Sequence, residues 1–178
     1  MNGKPKRLIG HVFHSLWDGI KLFPPGTLSS VETALKMGSA IHGAKIHFVV
    51  ESALTGIPLF SGQSARERAI DIFSYLRLWD TERRNGVLIY LLLADKAIEI
   101  VADRGLLAAT NEAEWQAICR AMEDEFRDRR FEAGAVNGVH AVNNLLIHHF
   151  RLSAEAPAGG NSSEHPGLAA IKPNQEEP

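Results

Sequence analysis

Asp80, Asn85 and Asp103 are the residues whose types and surroundings point most directly to chemistry. Asn85 is followed by Gly86, Asp103 by Arg104-Gly105, and Asp80 lies in the stretch Trp79-Asp80-Thr81-Glu82. Carboxylates, an amide oxygen and backbone carbonyls freed by glycine are the hard oxygen donors that calcium and magnesium prefer. If the fold gathers these three residues, a hard divalent cation is what they would hold. The same residues also have purely structural uses. Asp80 can cap the chain in its loop, Asn85 can supply a left-handed turn, and Asp103 can pair with Arg104 or hold the turn before Gly105. No Asp-x-Asp-x-Asp-Gly loop is present, so an EF-hand is not the vehicle.

Other reactive residue types have simpler readings. His11, His14 and Asp18 recur at helical spacing on a polar face, but no His-Glu-x-x-His motif exists and zinc is not expected. His148-His149 would sit in the last turn of a helix, where a cationic imidazole suits the dipole. Cys119 falls on the helical stripe Trp115, Ile118, Cys119, Met122, Phe126 and reads as core packing. Ser64 beside Arg66 at a helix start resembles an anion site, although Ser64 with Glu67 already makes a capping box. The sequence lacks a P-loop, a Cys-x5-Arg motif and an Asp-x-Asp-x-Thr nucleophile, and catalytic residues stay unassigned.

Elements that would position these groups follow from periodicity. Apolar residues Ile9, Val12, Phe13, Leu16 and Ile20 predict a first helix, ended by Gly19 and Pro24-Pro25-Gly26. A second helix is expected from a Ser29–Glu32 capping box to Gly43, with Val31, Ala34, Leu35, Gly38 and Ile41 on its buried side. Residues 45–51 alternate as a strand, and 87–94 form an unbroken apolar run, as a strand buried on both faces should. Between them a helix opening at Ser64 would turn Ala69, Ile72, Phe73, Leu76 and Trp79 inward and Arg66, Arg68, Asp71 and Arg77 outward. Strand, helix, strand makes a right-handed parallel crossover. A turn at Asp95-Lys96 returns the chain as an antiparallel strand over 97–103. Asn111 with Glu114 caps the helix carrying the Trp115 stripe, and a last helix spans about residues 132–150. Helices covering both faces of a small mixed sheet make an α/β/α sandwich. Chain direction alone then puts Glu51 and Asp95 at one edge of the sheet, and Asn85, Gly86 and Asp103 at the other.

Composition agrees with one domain and an excess. The chain has 178 residues, 45% of them hydrophobic and 22% charged. Its last 26 residues hold four Glu and one Lys without aromatics or periodicity, so the formal charge of −2 is the balance of a tail at −3 and a body at +1. The tail reads as disordered, and the body carries no electrostatic footprint for nucleic acid. The mixed run Arg127-Asp128-Arg129-Arg130 reads as a solvated face. No apolar run has the roughly 18 residues of a membrane span, the N-terminus is not a secretory signal, and one cysteine permits no internal disulfide. The expected location is the cytoplasm. The expected organisation is an N-terminal helix and turn over 1–25, the domain over 26–152, and the tail over 153–178.

Four blocks in order carry a family likeness. Arg84-Asn85-Gly86-Val87-Leu88, the apolar strand ending at Asp95, the strand ending at Asp103-Arg104-Gly105, and Arg130-Phe131-Glu132-Ala133-Gly134 resemble the TPM domain family. Leu28-Ser29 and Glu32 also fit its opening helix, and the likeness covers roughly residues 26–150. The resemblance implies a three-layer α/β/α fold. It implies no single activity: members include a thylakoid acid phosphatase, a photosystem repair factor, an accessory subunit of a receptor channel and bacterial proteins, some of which bind calcium. Lacking a signal peptide or anchor, this chain looks like the soluble bacterial kind. The expected role is a noncatalytic interaction or accessory module with a protein partner and a calcium or magnesium ion at Asp80, Asn85 and Asp103. The alternative is a metal-dependent acid phosphatase-like hydrolase.

Overall fold

The computed structural model describes residues 21–150 and 168–170. The helix expected over 8–20 lies outside the described residues, as do His11, His14 and Asp18. In chain order the elements are α1 (Pro25–His42), β1 (Lys45–Glu51), α2 (Gly56–Ser61), α3 (Ala65–Tyr75), β2 (Gly86–Leu92), β3 (Ala97–Ala102), α4 (Arg104–Leu107), α5 (Glu112–Arg127), α6 (Phe131–Phe150) and β4 (Leu168–Ala170). The sheet order is β3-β2-β1-β4. β1 pairs parallel with β2 from Lys45↔Gly86 to Glu51↔Leu92, and β2 pairs antiparallel with β3 from Val87↔Ala102 to Leu92↔Ala97.

Each face of the sheet has its own core. Ile46, Phe48, Val87, Ile89 and Leu91 meet Leu35 of α1, Trp115 and Met122 of α5, and Val139 and Leu146 of α6. Val49, Leu88, Tyr90 and Leu92 point the other way, onto Ala69, Ile72 and Phe73 of α3. β2 is buried at all seven positions because helices cover both of its faces. This is the expected three-layer α/β/α arrangement, with the long helices α1, α5 and α6 on one side and α3 on the other. Fully burying a side chain such as Leu35 or Phe48 contributes about 1.5–3 kcal/mol. Among the described residues, no helix is long and apolar enough to cross a membrane.

Local signals account for most element ends. Ser64–Glu67 and Asn111–Glu114 both form capping boxes, and Gly43 closes α1 in a left-handed conformation. Trp115 is buried, and its indole N–H donates to Thr110 Oγ1 at 2.9 Å. Cys119 packs against the larger core, where burial pushes its thiol up to about 11. Arg127 pairs with Asp124, and Arg130 with Glu125 and Asp128, as a solvated face should.

The structure departs from expectation at four places. α1 begins at Pro25 rather than at Ser29: proline suits the first helical turn, Leu28 N–H donates to Pro24 O, and the expected Ser29–Glu32 cap falls inside the helix. α3 ends at Tyr75, and the left-handed Arg77 (φ 50°) shifts the phase, so Leu78 is buried while Trp79 is 51% exposed. The helices α2 and α4 are too short for periodicity to reveal. In the segment 153–178, Leu168–Ala170 pair parallel with Phe48–Val50. This apolar triplet supplies partners for an edge that β1 would otherwise leave open.

Candidate functional site

Two polar clusters occupy opposite ends of the sheet. At the end where β2 begins and β3 finishes, Asp103 N–H donates to Gly86 O at 2.9 Å, which brings Asp103 and the Asn85-Gly86 turn together as chain direction predicted. The turn is tied down further. Asn85 Nδ2 donates to Gly43 O at 3.0 Å, and Asn85 N–H donates to Thr81 Oγ1 at 3.0 Å. A Cβ on Gly86 would run into the Leu78 carbonyl oxygen, and one on Gly105 into the carbonyl oxygens of Arg84 and Arg83. Glycine is therefore required where the loop before β2 lies against the sheet edge.

Asp103 is 7% exposed. It caps α4, with Oδ1 accepting from Arg104 N–H at 2.7 Å. Its Oδ2 is fully buried and has no hydrogen-bond partner among the described residues. A buried carboxylate oxygen left without a donor is costly unless a proton, a water or a cation completes it. Asn85 is buried too, whereas Asp80 is exposed and its backbone N–H turns back to Arg77 O. Among the described residues no three His, Cys, Asp or Glu side chains gather around a point that could hold a metal. A cation at this edge would thus rest on Asp103 and neutral oxygens, Asn85 Oδ1 and loop carbonyls, rather than on converging carboxylates.

The same end holds a buried imidazole that sequence reasoning missed. His42 is 2% exposed; its Nδ1 accepts from Ala44 N–H at 3.0 Å and its Nε2 lies 3.1 Å from Asn143 Oδ1. Asn143 Nδ2 donates to Ala34 O at 2.9 Å, and Gly38 leaves the room for that amide. An Nε2–H tautomer satisfies both contacts, and burial pulls the His42 pKa below its ordinary 6.5. The signal available in the sequence was a polar Asn143 within the apolar stripe of α6.

At the other end, Glu51 is 5% exposed and fully engaged. Arg68 donates from Nε to Oε2 at 3.0 Å and from Nη2 to Oε1 at 2.9 Å, and the Tyr90 hydroxyl donates to Oε2 at 2.6 Å. The hydrogen bonds to Glu51 raise the Arg68 pKa, while burial together with the Glu51 charge drives the Tyr90 phenol far up. All three side chains are locked in roles that support the fold. Arg68 was expected in solvent; a lone tyrosine in an aliphatic strand was the available hint. Ser64, considered above for anions, is committed to Glu67: its Oγ donates to Glu67 Oε2 at 2.8 Å and accepts Glu67 N–H at 3.2 Å.

Comparison with known proteins adds the family. The TPM domain family model matches residues 17–145. No curated protein matches the chain. Among solved structures, the chain is similar in fold to the NMR structure of the BA42 protein from the psychrophilic bacterium Bizionia argentinensis. The TM-score is 0.59 at 22% identity, over 72% of this chain and 84% of that one.

Proposed function

The chain belongs to the TPM domain family, and from that premise we propose that it acts as a noncatalytic interaction module whose β2–β3 edge takes a hard divalent cation, calcium or magnesium. The observation that carries this reading is the buried Asp103 Oδ2 with no hydrogen-bond partner among the described residues. A bound cation would neutralise that oxygen and draw on Asn85 and nearby carbonyls, stiffening the contact between the loop before β2 and α4. Asp80 is exposed and does not share the buried position of Asp103 and Asn85. With a single inner carboxylate, affinity should fall in the weak range of such sites, about 10⁻⁴–10⁻³ M. The competing reading, a metal-dependent phosphatase, would use the same cation to activate water and is separated from this one by turnover.

Calorimetric titration of demetallated protein with calcium, then magnesium, tests the site. At about 100 times Kd the folded state gains about 2.7 kcal/mol, several degrees in Tm for a domain of this size, and Asp103→Asn should remove most of that gain. Absence of heat and of thermal shift up to about 10 mM, well above the weak calcium range, would leave these residues as turn and capping groups. Turnover of an aryl phosphate by the loaded protein, lost in Asp103→Asn, would favour the phosphatase instead.

A further inference from the structure

The edge that holds Asp103 also carries a set of solvent-facing groups that a buried cation site does not use. Trp79 is 51% exposed and Tyr75, four residues before it at the end of α3, is 83% exposed. Arg77, Arg83, Arg84 and Arg104 are exposed around them, against two exposed carboxylates, Asp80 and Glu82. These residues come from separate segments, and the backbone joins them: the Leu78 carbonyl lies against Gly86, and the carbonyls of Arg83 and Arg84 against Gly105. Leu107, 47% exposed on α4, continues the apolar part of this edge.

None of these four arginines has an ion pair among the described residues, whereas Arg66, Arg68, Arg127 and Arg130 each hold a carboxylate. Arg77 and Arg84 are also two of the four described non-glycine residues with left-handed backbones, at φ 50° and 49°. Glycine or asparagine takes that conformation more readily. Charged side chains therefore stand where the backbone alone favours another residue.

We propose that this edge docks on an anionic lipid surface, with the arginines against headgroup anions and Trp79 and Tyr75 in the interfacial layer. Tryptophan and tyrosine combine an apolar body with a polar tip and suit the headgroup level of a bilayer. Cations spread over three chain segments around apolar tips match an extended plane of negative charge better than a single acidic strand. Such binding is peripheral. It needs no metal, so it goes beyond the Asp103 reading and can be tested in its absence.

The test is sedimentation of the full chain, in chelator, with phosphatidylcholine vesicles containing or lacking phosphatidylglycerol, and with soluble polyglutamate as a competing partner. Binding to the anionic vesicles alone, weakening as salt rises, is expected. Each arginine near such a surface is worth roughly fivefold in partitioning, so Arg83→Glu with Arg104→Glu should lower binding at least about tenfold with Tm unchanged. Trp79→Ser should lower it by a smaller factor. Failure of the wild type to sediment with anionic vesicles at low salt overturns the proposal, as does undiminished binding by the doubly reversed variant. Tight binding of polyglutamate without vesicle binding would overturn it in favour of an acidic protein partner.

Discussion

Glu51 and Asp103 are both carboxylates more than nine-tenths buried, at opposite ends of one small sheet, and the protein treats them oppositely. Glu51 receives three donors, two from Arg68 and one from Tyr90. Asp103 receives one, on Oδ1, and its other oxygen has none among the described residues. A charge whose acceptors are all satisfied is part of the architecture. A buried acceptor left half satisfied calls for a proton, a water or an ion to complete it. The difference separates the end of the sheet that holds the fold from the end where function is sought.

The sharpest way to break that contrast is to strip Glu51 of its partner. Arg68→Ala leaves a buried carboxylate unpaired and should cost about 3–5 kcal/mol, read as a lowered urea midpoint with m unchanged. A cost below 1 kcal/mol would place Glu51 among ordinary surface-like charges and remove one side of the comparison. Next in size is Gly86→Ala, which pushes a methyl group against the Leu78 carbonyl. Overpacking of this kind costs about 1–3 kcal/mol, and because the contact is to backbone the loss should not be recovered by shortening a neighbouring side chain.

The two ends should also differ in their response to acid. His42 belongs to the Asp103 end, since Gly43 O accepts from Asn85 and Ala44 N–H donates to the imidazole. Its pKa in the folded protein is lowered from 6.5, by burial above all. The unfolded chain therefore binds the proton first. The stabilisation is complete above 6.5 and is lost as pH falls through the folded value. Urea midpoints measured from pH 7.5 downward should fall, and His42→Gln should flatten that slope; an equal slope in the variant would assign the acid sensitivity elsewhere. The smallest effect is expected at Asp103 itself. Asp103→Asn keeps an oxygen for Arg104 N–H and removes a buried charge, so without cation the change should stay within about 1 kcal/mol and either sign is consistent with an unmet carboxylate. A loss like that of Arg68→Ala would show Asp103 to be as structural as Glu51.

Much of this architecture was readable before folding. Capping boxes at Ser64 and Asn111, the glycine stop at Gly43, and the alternation of 45–51 are local effects, decided within a turn or a strand by hydrogen bonds to near neighbours and by apolar period. Convergence of Asn85, Gly86 and Asp103 followed from strand direction alone, because an antiparallel third strand must end where the second begins. The position of α1's start was misread because Pro25 and Ser29 both make good openings, and local preference does not rank them. What the tertiary structure alone decided are the pairings made across the fold. Glu51 meets Tyr90 at a separation of 39 residues, and His42 meets Asn143 at 101. Arg68 was drawn out of solvent by the way α3 seats on the sheet, and Trp79 was turned into it where the chain leaves that helix at the left-handed Arg77. Burial in three dimensions determines which charge must find a partner, and no local pattern of residues records which partner will be within reach.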